Sequence, residues 1–82
     1  MPCPGYFVDL GIDQDFARAR ELLKPLGDLR KEMVLAAGLA PDSIFLIAPD
    51  QQTAFAVANR LKLHNEPACF TNDQFQTFVT AD

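Results

Sequence analysis

Two cysteines, one histidine and one serine are all that this 82-residue chain offers to nucleophilic or soft-metal chemistry. Each scarcity removes a class of function. Small secreted scaffolds usually carry four or more cysteines. Cys3, in a terminal Pro-Cys-Pro, and Cys69 therefore read as reduced thiols of a cytoplasmic protein. No C-x-x-C occurs, and His64 does not stand at zinc-site spacing from either cysteine. A serine triad is excluded in practice, since Ser43 lies in a predicted turn before a strand. Phosphate-cradling loops are missing too: neither G-x-G-x-x-G nor G-x-x-x-x-G-K-[ST] is present.

Long apolar runs are also absent. The uncharged stretch Met33–Pro41 falls far below the ~20 residues that cross a bilayer. The N-terminus lacks the basic start and apolar core of a signal peptide. No membrane association is expected. Clustered, uncompensated cations, the footprint of nucleic-acid binding, are likewise missing. The net charge is −4. Residues 1–17 and 63–82 are acidic, and the cations Arg18, Arg20, Lys24, Arg30 and Lys31 are interleaved with Glu21, Asp28 and Glu32. That pattern suits solvated helix faces with local pairs such as Asp28 with Lys31.

What the chain does have is apolar content: 49% hydrophobic residues, seven of them Phe. This is enough for one small domain, residues 1–82, although a chain of this size buries only about 60–65% of its unfolded surface. Tyr6 to Ile12 alternates as a strand. Asp13 is placed as a helix N-cap, and Phe16, Ala19 and Leu23 give that helix its apolar side. Pro25 and Gly27-Asp28 break it. Leu29, Met33, Ala36 and Ala37 form a second helical stripe ending at Gly38, and Pro41-Asp42 makes a turn. Ile44–Ala48 is a continuous apolar strand. Gln51 to Leu63 is a helix with Ala54, Val57, Ala58 and Leu61 on one side, and Pro67–Thr71 is extended. Thr71-Asn72-Asp73-Gln74 matches a capping box, with Phe75, Phe78 and Val79 as the apolar side of a last helix.

The expected fold is therefore α/β: a three-stranded, parallel sheet with four helices in the order β-α-α-β-α-β-α. Its central strand would be Ile44–Ala48, the most apolar. One sheet face collects Tyr6, Val8, Leu10, Ile44, Leu46, Ala48, Ala68 and Phe70; the other collects Phe7, Asp9, Phe45, Ile47, Cys69 and Thr71. If both crossovers run on one side, the second face is left for the last helix or for another chain.

Strand ends are where ligands bind in parallel sheets. There Asp9 (or Asp13), Asp50 and Asp73 could converge as hard oxygen ligands for Mg²⁺ or Ca²⁺. Capping of helix N-termini is the favoured explanation of Asp13, Asp50 and Asp73, which leaves Asp9 as the carboxylate most in need of a function. Cys69 reads as a small buried hydrophobe and His64 as a residue at a helix end. The neutral amides Gln51, Gln52, Gln74 and Gln76 give the last two helices a weakly charged exterior, a feature of interface centres. Without a catalytic constellation, an enzyme is not the favoured class and no cofactor is expected. The expectation is a small non-catalytic protein-binding module: an inhibitor, immunity, antitoxin-like or accessory subunit, or a homodimer. Its contact surface would be Phe7, Phe45 and Ile47 or the four glutamines. The alternative is a metal- or phosphate-binding enzyme-like domain built on Asp9, Asp50 and Asp73.

Overall fold

A computed structural model describes residues 3–38, 43–71 and 73–82, so the turn expected at Pro41-Asp42 and the place of Asn72 lie outside the described residues. The elements are β1 (Tyr6–Asp9), α1 (Phe16–Leu23), a 3-10 stretch (Lys24–Glu32), β2 (Val34–Gly38), β3 (Phe45–Ala48), α2 (Gln51–Arg60), β4 (Ala68–Cys69) and β5 (Phe75–Thr80). The strands form one antiparallel sheet in the order β4-β1-β3-β2-β5. This overturns the three-stranded parallel sheet with four helices.

Each β-α-β segment does return a strand in the same direction as the one it left. However, an antiparallel strand stands between the two: β3 separates β1 from β2, and β1 separates β3 from β4. Four strands and two helices thus follow the split β-α-β order, with β5 added beside β2.

Two expected helices are not helices. After α1 the chain enters the 3-10 stretch, kinked where Gly27 takes a positive φ of 61°, and then becomes β2. The stripe Met33, Ala36, Ala37 lies across that change of structure. The last expected helix is β5. Half of the anticipated capping box exists, since the Gln74 side chain accepts from the Thr71 N–H at 2.8 Å. It closes a turn ahead of a strand instead of starting a helix. The i, i+3 spacing of Phe75 and Phe78 has a separate origin. Thr77 pairs with Ala37 while Phe75 pairs with Gly38, so Gln76 is an extra residue in a bulge. The bulge returns both Phe residues to one face. Gly38 is required at this crossing, because a Cβ there would sit 2.6 Å from the Phe75 Cα.

The first helix is capped by Asp15, whose carboxylate accepts from the Arg18 N–H at 3.1 Å, and not by Asp13. Asp50 caps α2 through the Thr53 N–H at 2.7 Å. Both helices lie on one sheet face. There Leu23, Leu35, Ile44, Leu46, Val8 and Val57 are the largest fully buried side chains. Each contributes about 1.5–3 kcal/mol by leaving water.

Candidate protein-interaction surface

The sheet face away from the helices carries the aromatic residues. Phe7 of β1, Phe45 and Ile47 of β3, Val34 and Ala36 of β2, and Phe70 and Phe75 pack as a second core. Register explains the membership of Phe70. Its N–H donates to the Gly5 carbonyl at 2.9 Å, which puts it on the Phe7 side and not with Tyr6 as expected.

These rings also report the shape of the sheet. Phe7 and Phe75 have centroids 5.4 Å apart, yet β3 and β2 lie between their strands. Three strand spacings would be about 14 Å in a flat sheet, so the sheet curls around its aromatic face. Phe70, next to one edge strand, stacks on Phe75 of the other edge strand at 5.8 Å and 15°. Phe7–Phe45 and Phe70–Phe78 meet edge to face, the geometry that ring quadrupoles favour.

The consequence for the expected site is direct. Phe7, Phe45 and Ile47 are brought together, but Phe45 and Ile47 are buried by their own chain. The residue left outside is Phe78, 45% exposed at the rim of the cluster. Sequence reading placed it inside a helix; the signal that could have found it is the uncharged run Gln74–Ala81, read at strand period with one bulge. The glutamines do not form a helix pair: Gln51 and Gln52 begin α2, whereas Gln74 and Gln76 belong to the turn and strand of β5.

Edge exposure adds to Phe78. The Ala81 N–H donates to the Met33 carbonyl, in register with Leu35–Val79 and Ala37–Thr77. Residues 77, 79 and 81 therefore turn their backbone groups inward to β2, and Phe78 and Thr80 turn theirs outward. Arg20 Nε reaches the Thr80 carbonyl from that outer side at 3.1 Å.

The carboxylates do not converge. Asp9 pairs with Phe45 at one end of the sheet, while Asp50 follows Ala48, whose partner Tyr6 is at the other end. Asp73 precedes β5, in the turn closed by Thr71 and Gln74. Each has a local partner. Asp9 accepts from the Gly11 N–H at 2.8 Å, which accounts for the carboxylate at the end of β1. Asp73 accepts from the Thr71 hydroxyl at 2.8 Å. The Thr53 backbone and side-chain hydrogen bonds hold the Asp50 carboxyl below the usual carboxylate range. Among the described residues no group of three or more His, Cys, Asp or Glu could hold a metal ion.

The cysteines are not thiols. Cys3 and Cys69 form a disulfide across 66 positions. Antiparallel pairing of β4 on β1 places Cys69 opposite Tyr6, beside the N-terminal segment, a juxtaposition that two isolated cysteines in a sequence do not reveal. His64 lies exposed beyond α2. On the helix side, an open groove of about 400 Å³ is lined by Leu10, Ile12, Leu22 and Leu63 with Arg18 and Glu21. Among the described residues no helix is long and apolar enough to cross a membrane. No family model, curated protein or solved structure matches the chain.

Proposed function

We propose that this chain is a small, non-catalytic protein-binding module whose contact surface is the outer edge of β5 with Phe78. The observation that carries the reading is the state of that edge. It spans six residues without charge or proline, its bulge lies at one end only, and it presents a half-exposed aromatic ring. Soluble proteins usually guard such edges with Lys, Pro or a covering element; here the Arg20 side chain guards the Thr80 end and leaves Phe78 open. A strand from a partner adds backbone hydrogen bonds there, and Phe78 adds apolar area and selectivity. The three carboxylates, each tied to its own turn or cap, give no comparable support to a metal- or phosphate-binding reading.

The test is selection of extended peptides from a displayed random library on the unaltered protein, each then measured against Phe78→Lys. Selected peptides should bind the unaltered protein at least tenfold tighter than the variant and shift the amide resonances of residues 76–80. Peptides that bind both proteins equally, or that shift the groove of Leu10, Ile12, Leu22 and Leu63 instead, would refute it.

A further inference from the structure

We infer that the occupant of the β5 edge is β5 of a second copy of this chain, paired antiparallel across a two-fold axis at Phe78. The inference rests on the proposed function and names the partner of that same surface.

The backbone is self-complementary at this point. Phe78 directs both its N–H and its carbonyl outward, so two copies related by a two-fold axis exchange two N–H···O bonds between the Phe78 residues. The ladder then continues toward Thr80, opposite Gln76 of the second copy. Arg20 uses the Thr80 carbonyl, but a carbonyl has two lone pairs and the Thr80 N–H remains directed outward.

Side chains agree with the same axis. Phe78 packs against Phe70 and Phe75 at centroid distances of 6.1 and 6.4 Å on its inner side. Its exposed side would meet Phe78 of the second copy as a direct cross-strand pair, joining the two aromatic cores. Nothing between Gln74 and Ala81 is charged, so the two strands meet at Phe78 without like charges of their own, and the Arg20 guanidinium of each copy stands at Thr80, toward opposite ends of the ladder. The opposite edge competes poorly for the same strand. β4 has only two residues, and pairing β5 with β4 of the next molecule would build an open chain instead of a closed dimer.

The experiment is sedimentation velocity of the intact, disulfide-bonded protein over a concentration series, with Phe78→Lys and Phe78→Glu as variants. Because Phe78 is half exposed, both variants should keep native amide dispersion. The unaltered protein should rise from 9.1 kDa toward twice that mass. Added salt should strengthen the association by screening the −4 charge of each copy. Each variant alone should dimerise at least tenfold more weakly, since like charges would face each other across the axis. An equimolar mixture of F78K and F78E should recover the dimer, and salt should now weaken it. A monomer at all concentrations, a dimer indifferent to both variants, or a mixture that stays monomeric would overturn the inference. A monomer that still binds the selected peptides at residues 76–80 would retain the protein-binding reading and lose only the self-pairing. Failure of both experiments would remove both.

Discussion

The two faces of this sheet reach burial by different means. On one, two helices supply a second layer, and aliphatic side chains such as Val8, Leu35, Ile44 and Leu46 are sealed between layers. On the other, among the described residues, no helix lies across the strands. There the burial comes from large rings that cover one another and from curling of the sheet that brings its two edges together. Five of the chain's seven Phe lie on the uncovered face, where a fully buried aromatic side chain removes about 150–250 Å² from water. The difference teaches that the aromatic face is a core, and that its incompletely covered part is the rim at Phe78.

The strongest way to break this comparison is to truncate neighbours that point to opposite faces. Leu46→Ala removes a fully buried side chain under the helices and should cost about 2–5 kcal/mol. Phe45→Ala, 8% exposed on the aromatic side, should cost about 3–5 kcal/mol if that face is a core. Urea unfolding of the two variants measures both. A cost below about 1 kcal/mol for Phe45→Ala would mean that the rings are a surface decoration and that only the helix side holds the fold.

Next in size is the disulfide. It closes a loop of 66 positions, for which removal typically costs about 2–4 kcal/mol through the larger freedom of the unfolded chain. The effect should also be uneven. Two residue pairs and the Phe70 N–H bond tie β4 to β1, so Cys3→Ser with Cys69→Ser should speed amide exchange at Phe70 before it affects α1 or α2. Uniform acceleration across both faces would show that the link acts only on the unfolded chain.

Gly38→Ala is a smaller and more local perturbation. The added methyl would stand 2.6 Å from the Phe75 Cα and 2.8 Å from the Gln76 nitrogen, both backbone atoms that cannot swing aside. Crowding of this kind costs about 1–3 kcal/mol. The bulge should open and Phe75 should withdraw from Phe7 and Phe45, detected as loss of ring-to-ring NOEs while those of Leu23 with the helix-side core persist. Unchanged Phe75 NOEs would show that β5 can slide outward without releasing the aromatic core.

How much of this was legible can be argued residue by residue. β3 was plain, because a continuous apolar run bounded by Pro49 has few other readings, and α2 was plain because Ala54, Val57 and Ala58 repeat at helical period. The assortment of Phe7, Phe45 and Ile47 onto one face followed from strand alternation alone. β2 was hidden because Met33, Ala36 and Ala37 happen to fit a helical stripe that begins in the 3-10 stretch. β5 was hidden because a bulge converts strand period into an i, i+3 spacing, and because Thr71 and Gln74 make a capping-box hydrogen bond in a turn. Strand order was not legible at all: a helix connecting two strands fixes their relative direction but not whether a third lies between them. The candidate surface inherits that loss. Its apolar members were found, while their burial and the exposed rim depend on which strands form the edges.

The smallest expected effect probes the helix side through acid. Asp50 caps α2, and its hydrogen bonds from Thr53 hold its carboxyl below the usual range. A depressed folded-state value means that the unfolded state binds the proton more readily, so the cap stabilises above the unfolded carboxylate value and fades as pH falls through the folded one. Among the described residues the aromatic core is built of apolar side chains, so acid should loosen the two faces unequally. The thermal midpoint of Asp50→Ala should lie slightly below that of the unaltered protein from neutral pH down to about pH 5. The gap should close as the cap protonates. Amide exchange at Ala54 should rise in step, with Phe75 unaffected until global unfolding. A gap that keeps its full size at the lowest pH would assign the cap to the neutral hydrogen bond instead of the carboxylate charge. Parallel loss of protection at Ala54 and Phe75 would mean that the two faces, however differently built, open as one cooperative unit.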